Sequence, residues 1–247
     1  MKKIQLAIVL CACVCIMSGC TQTQTPPTTN TTNRSATQDQ QPVLYNLGGV
    51  DVSTDVEFNA HNLDVDSGRT VAVFLFGQPL PKSPGQPQRI NPNLEFGGLK
   101  TPVTLIAAMD GVVAFIKEQS ESNDYEVFLQ THENSEWMVG YDHVTDLRVV
   151  KGQRVSVGDV LGKAARENTG YYRYELQINY EGGNDSVMYC PTDLLDPSVR
   201  AAEQAKLDAL VKSWEQSYSA AFSGPAYPEQ SGGCTQPTIT NAESQGL

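Results

Sequence analysis

The chain has 247 residues, 40% hydrophobic and 8% aromatic, which suffices for one domain with a sizeable core plus appendages. Its formal charge is −11, falling to −13 if Lys2 and Lys3 leave with a signal peptide. Nucleic acid and anionic lipid headgroups are therefore poor partners, because the summed field repels phosphate.

Taken in chain order, Met1-Lys2-Lys3 is a positive start, Ile4 to Met17 is a short apolar run, and Ser18-Gly19 are small residues before Cys20. Residues 1–19 read as a secretory signal peptide. The run is too short to span a bilayer comfortably as a permanent helix. Ser18-Gly19-Cys20 resembles the bacterial lipobox, which implies that Cys20 is lipidated and anchors the chain to a membrane. An ordinary signal peptide with Cys20 incidental is the alternative. Residues 20–41 are almost wholly Thr, Gln, Asn, Ser and Pro, a composition that cannot bury enough apolar surface to fold, so they read as a tether. Thr21 is not the aspartate that retains lipoproteins at an inner membrane, which favours the outer one in a two-membrane cell. Cys11, Cys13 and Cys15 would leave with the signal, and Cys20 would be taken by lipid. Cys190 and Cys234 remain, and an oxidising exterior should pair them as a disulfide.

Residues 42–89 read as a β-rich lead-in, with Val71 to Phe76 an apolar run bounded by glycine and proline, as for a buried strand. His61 among Asn and Asp reads as a loop histidine, and His132 as an exposed one. Residues 90–197 read as a β-roll. Asp110-Gly111 is a tight-turn signal between hydrophobic runs. From Val149 to Ala164, valine and leucine are broken by Gly152, Gly158 and Gly162, where sharp turns call for positive φ. Strand patterns continue at 126–130, 137–141 and 171–180. Asp196-Pro197-Ser198 then opens a helix, and Val199, Ala202, Leu207, Leu210, Val211, Trp214 and Tyr218 recur at helical spacing. Residues 198–247 are this helix and a disulfide-tied tail, frayed from Thr235 on.

The strings AAMDGVVAFI, VGYDHVTDL, VVKGQRVSVGDVLGKA and YYRYELQINY together resemble the lysostaphin/LytM-type peptidoglycan endopeptidases, which are zinc hydrolases, over roughly 90–197. The resemblance implies a mainly β fold, a β-roll of the duplicated hybrid motif type, here with one C-terminal amphipathic helix. It also implies a zinc held by an H-x-x-x-D motif and an H-x-H strand, assisted by a Y-x-H histidine. Three such ligands leave a fourth position for an activated water.

Carried over one at a time, those positions fall on Asn91 and Glu95, on Tyr172 and Tyr174, and on His143. Asn91 is a poor zinc ligand, and the two phenols have an ordinary pKa near 10. Only His143 matches, and no histidine follows it. The sequence therefore supports no metal and no cofactor, zinc entering only under an active-enzyme alternative. Strand alternation puts Tyr172, Tyr174, Leu176 and Ile178 on one face and Arg173, Glu175 and Gln177 on the other. The tyrosines either stack on a sugar or peptide in the former metal groove or plug it as core. His143 either orders a loop, held by Asp142 or Asp146, or retains a functional role.

The leading expectation is an extracytoplasmic, lipid-anchored protein whose degenerate endopeptidase-like domain binds or scaffolds in the envelope, on peptidoglycan or on a partner protein. An active zinc endopeptidase with unusual ligands is the alternative. A biotinyl or lipoyl carrier shares the glycine and valine spacing but lacks the exposed hairpin lysine. An exported chain would also never meet cytoplasmic ligases.

Overall fold

The computed structural model describes residues 39–57, 63–64, 69–70, 72–80, 82, 84–168, 170–218, 220 and 227–246. The expected signal peptide, Cys20, most of the tether and His61 lie outside them. The fold is mainly β. Strands β1 (Leu63–Asp64) and β2 (Arg69–Thr70) form a small ladder of their own. Eleven further strands make one antiparallel sheet: β3 (Val73–Phe74), β4 (Leu94–Leu99), β5 (Thr104–Ile106), β6 (Gly111–Gln119), β7 (Asp124–Gln130), β8 (Trp137–Thr145), β9 (Arg154–Val155), β10 (Val160–Arg166), β11 (Tyr172–Tyr180), β12 (Val187–Tyr189) and β13 (Thr238–Thr240). Their order is β13-β12-β11-β10-β8-β7-β6-β9, with β4 added on β11, β3 on β4 and β5 on β10.

Alternation sets the core. Tyr174, Leu176 and Ile178 of β11 and Val139 and Tyr141 of β8 point inward and are fully buried with Val127 and Leu129 of β7. Residues 44–52 pack on this core. Leu44, Leu47, Val50 and Val52 are buried, and the amides of Leu44 and Tyr45 donate to the carbonyls of Leu194 and Ala108, each at 2.8 Å.

Asp110-Gly111 does not close a hairpin, because β5 pairs with β10 while β6 pairs with β7 and β9. The chain turns a corner there, and the Asp110 carboxylate instead accepts the Val157 amide at 2.8 Å, tying down the β9–β10 turn. Gly152 and Gly158 have the expected positive φ, but Gly162 does not. Gly162 is needed for space: a Cβ there would lie 2.5 Å from the Thr145 carbonyl oxygen.

Helix α1 (Pro197–Tyr218) buries Leu207, Val211 and Trp214 against the main core, with Trp214 edge-on to Tyr227 at 5.6 Å between ring centroids. Ala202 of the expected apolar stripe is exposed. The tail after Thr235 is ordered structure rather than a frayed end. Strand β13 pairs with β12 and buries Ile239, and α2 (Asn241–Gln245) follows it. A capping box starts α2, with Thr240 and Glu243 satisfying each other's backbone amides, and Gly246 closes it at φ 75°. The sequence cue missed here was T-N-A-E, the capping-box pattern itself. Cys190 and Cys234 form the expected disulfide, buried with Phe76, Met188 and Ile239 in a small second core.

Candidate functional site

Three adjacent strands bring carboxylates into one row. Glu175 of β11 is the cross-strand partner of Glu95 on β4 and of Asp142 on β8. These side chains lie on the face of β11 opposite the core residues, together with Arg173 two residues earlier.

Two register irregularities shape the row. On β4, Leu99 pairs with Tyr172 but Phe96 with Tyr174, so Gly97 and Gly98 together oppose Arg173. Both glycine amides donate to the Ala72 carbonyl, at 3.0 and 3.1 Å, which anchors this bulge on the segment entering β3. On β8, Asp142 and His143 together oppose Glu126, because Val127 pairs with Tyr141 and Tyr125 with Val144. His143 adopts φ 60°, a left-handed conformation rare outside glycine and characteristic of functional or tightly determined positions. The break in alternation lets consecutive residues Asp142 and His143 both reach the carboxylate row.

The result is a continuous ionic network. Arg173 Nη2 donates to Glu175 Oε1, while Arg173 Nε makes a 3.0 Å ion-pair contact with Glu95 Oε1 that lacks a hydrogen-bond angle. Nη1 is 3.8 Å from Glu167. Asn93 Nδ2 donates to the other oxygen of Glu175. His143 Nε2 lies 3.3 Å from Glu175 Oε1 and 3.9 Å from Asp142 Oδ2, and Nδ1 lies 2.7 Å from Asp124 Oδ2. Asp124 also accepts from Ser122 Oγ at 2.5 Å. Asp142 Oδ1 accepts from Gln119 Nε2 and from the His143 amide, each at 2.7 Å.

Burial and neighbours push these ionisations apart. Desolvation and then the Glu175 charge raise Glu95 to about 7, with Arg173 opposing. Desolvation likewise raises Asp142 to about 6, although the His143 charge pulls it back. Burial also opposes the charge on Glu175, yet His143 and Arg173 hold it below the ordinary carboxylate range. Burial disfavours the proton on His143, but Glu175, Asp142 and Asp124 outweigh it and raise the ring to about 9. At neutral pH the site is thus an imidazolium and a guanidinium beside the Glu175 and Asp142 carboxylates, with Glu95 close to its midpoint. A cleft of about 620 Å³ opens beside His143, lined by Lys117, Glu118, Gln119, Ser120, Glu121 and Ser122.

Of the residues at the expected zinc-site positions, Glu95 and His143 belong to this network, whereas Asn91, Tyr172 and Tyr174 do not. Asn91 is buried, and its amide donates to the carbonyls of Leu75 at 3.2 Å and Asn93 at 2.8 Å. Tyr174 is fully buried, its ring aligned with those of Phe96 and Tyr141 at 6.1 and 6.2 Å, so it is core and not a groove-facing phenol. Tyr172 shares its strand face and is half-buried against the same core. The groove positions on β11 are held instead by Arg173 and Glu175. The alternation that groups Tyr174 with Leu176 and Ile178 already assigned it to the core, and the same pattern read for the opposite face would have found the two charged residues. Asp142 does contact His143, whereas Asp146 pairs with Lys163 at 3.1 Å. Asp124 was missed, since no sequence spacing links β7 to the β8 bulge. His132 is exposed but not idle: Nε2 lies 3.0 Å from Asp39, which also accepts from Ser135 Oγ at 2.9 Å.

These residues do not fit a catalytic zinc. Asn91 is a neutral amide that donates to backbone carbonyls, Tyr174 faces the core, and Glu95 Oε1 meets a guanidinium. Asp124, Asp142 and His143 lie close enough together to surround an ion. Their polar atoms, however, are engaged with one another and with Ser122 and Gln119, and a doubly protonated imidazole has no lone pair to offer.

Residues 97–187 match the model of Peptidase family M23, a match that starts two residues after Glu95. Among solved structures, LytU is similar at 21% identity over 47% of this chain and 78% of its own, with a TM-score of 0.37. The catalytic domain of the antimicrobial peptidase lysostaphin from Staphylococcus simulans is similar at 14% over 45% and 80%, TM-score 0.35. The SpoIIQ-SpoIIIAH pore forming complex is similar at 14% over 67% and 99%, TM-score 0.42. No curated protein matches the chain.

Proposed function

Residues 97–187 form a LytM-type, peptidoglycan endopeptidase-like domain of the M23 kind, and from that premise we propose that the protein is a non-catalytic envelope module that binds or scaffolds outside the cytoplasm. One observation carries the reading. No side chain at the expected zinc positions is set to bind a metal: Asn91 is a neutral amide tied to backbone, Glu95 pairs with Arg173, Tyr174 is buried in the core, and His143 is raised to about 9 between carboxylates. A hydrolase of this type needs three metal ligands and an open fourth position.

Attachment to a membrane through Cys20, with residues 21–41 as tether, is part of the same proposal and rests on the lipobox-like Ser18-Gly19-Cys20. Among the described residues no helix is long and apolar enough to cross a membrane. Peptidoglycan is the first candidate ligand, because the domain type suggests it, and an envelope protein is the second.

The experiment is cosedimentation of the purified domain with isolated peptidoglycan, run beside a cell-wall gel with and without added zinc. Retention in the pellet without clearing of the gel supports a wall-binding module. A domain left in the supernatant points to the protein partner. Zinc-dependent clearing would replace the proposal with the active-endopeptidase alternative, for which the proximity of Asp124, Asp142 and His143 is the one favourable feature.

A further inference from the structure

We propose that the guanidinium of Arg173 is this protein's own replacement for a metal ion: it supplies the counter-charge that lets Glu95, Glu167 and Glu175 share one side of the sheet, and it thereby keeps a divalent cation out. The inference rests on the non-catalytic reading above and says what stabilises the groove instead.

The geometry is that of a cation in a ligand shell. One guanidinium reaches three carboxylates through three different nitrogens: Nε to Glu95, Nη2 to Glu175 and Nη1 to Glu167. Glu95 and Glu175 are only 6% and 5% exposed, and they are cross-strand neighbours, so their charges repel at short range. Two such anions on adjacent strands would be costly to bury without a cation between them. A metal ion could fill that role in principle, as it does in zinc sites generally. Here the planar fork of an arginine does so, and its fixed charge cannot be lost to deprotonation. The other cation of the network, His143, meets the same oxygen of Glu175 at 3.3 Å and acts on Glu95 only at longer range, more weakly than Arg173. Among the described cations, Arg173 is the one in ion-pair contact with Glu95.

A divalent ion entering this shell would have to displace the guanidinium or sit against it, and both are unfavourable. Removing the guanidinium reverses the situation. Glu95 and Glu175 are then two underneutralised carboxylates on adjacent strands, oxygen donors that attract a divalent cation.

The test is thermal melting of the whole exported chain and its Arg173→Ala variant, each with a chelator or with added zinc, followed by elemental analysis after dialysis. Wild type should melt at the same temperature in both conditions and retain no zinc. Arg173→Ala in chelator should melt roughly 5 to 10 °C lower, the size expected from uncovering a mostly buried ion pair in a domain of this length. Added zinc should recover at least roughly half of that loss and remain bound after dialysis. If Arg173→Ala does not fold, the triple variant Glu95→Gln, Arg173→Ala, Glu175→Gln keeps the idea testable. It should fold without metal, because the anions that needed the cation are gone.

Arg173→Ala melting like wild type while wild type stays metal-free would overturn this inference and leave the non-catalytic reading intact. So would a triple variant as unstable as the single one, which would mean that Arg173 acts through packing. A wild-type chain that holds one zinc and melts lower in chelator would overturn both.

Discussion

Glu95 and Glu175 face each other across β4 and β11, and their ionisations have been driven in opposite directions, Glu95 up to about 7 and Glu175 below the ordinary range. Burial acts on both. The difference comes from His143 and Asn93, which reach Glu175 but make no contact with Glu95.

Stability should therefore decline as pH rises from mildly acid through mildly alkaline conditions. Glu95 is raised from 4.5 to about 7, so its contribution is complete below 4.5 and is lost as pH rises through 7. His143 is raised from 6.5 to about 9, so its contribution is complete below 6.5 and is lost as pH rises through 9. Glu175 has the opposite sign and penalises only strongly acid conditions. Urea unfolding between pH 5 and 9.5 should show decreasing stability, and His143→Gln should flatten the limb above pH 7. A profile that rises from pH 6 to 9 would contradict the assigned network.

Tyr174 should be replaceable by phenylalanine with a gain. Its hydroxyl is buried without a hydrogen-bond partner among the described residues, so removing it relieves a desolvation cost of about 1 kcal/mol. Gly48 packs on the same ring: it has φ 75°, and a Cβ there would lie 2.1 Å from Tyr174 Oη and 2.5 Å from Cζ. Gly48→Ala should cost about 2 kcal/mol, from backbone strain and the clash together. Denaturant unfolding of both single variants and the double should show the Gly48→Ala cost only partly relieved by Tyr174→Phe. A destabilised Tyr174→Phe would show that the hydroxyl has a partner after all.

The sequence carried the roll further than it carried the site. Glycine and valine spacing from Val149 to Ala164, the apolar face of β11 and the proline-started helix all act over a few residues, so local pattern suffices to read them. The site depends on two bulges, at Gly97-Gly98 and at Asp142-His143, each of which shifts register by one residue and changes which side chains meet. On β11, whose own alternation is unbroken, the motif spacing was carried over one residue out of place, and so it put Tyr174 where Glu175 stands. Asp124 and Asn93 join the network only through pairing of strands distant in sequence, which no local motif encodes. The ordered tail was legible in Thr240 and Glu243 but was masked by the polar composition around them.

The Cys190–Cys234 disulfide ties β13 and α2 to the end of β12. It spans a sequence separation of 44 residues, for which the chain-entropy model gives about 4 kcal/mol. The double variant Cys190→Ala, Cys234→Ala should lose that amount in denaturant unfolding, and hydrogen exchange should rise first in residues 238–246. A loss below about 1 kcal/mol with an unchanged tail would mean that packing around Ile239 holds the segment without the bond.

The proposed lipidation of Cys20 rests on Ser18-Gly19-Cys20 closing the apolar run and on the polar composition after it. Metabolic labelling with a fatty-acid analogue in the host should mark the wild-type chain and not Cys20→Ala. Equal labelling of the two would dismiss the anchor, and with it the membrane attachment proposed here.

The most direct measurement is the metal content of the purified, untreated protein, determined by elemental analysis alongside protein concentration. An M23-type domain whose groove positions are held by Arg173, Glu95, Glu175 and His143 should carry zinc far below one atom per chain, before and after incubation with zinc and dialysis. One tightly held zinc per chain, together with wall cleavage that Glu95→Ala or His143→Ala abolishes, would contradict the account and make the protein an active endopeptidase.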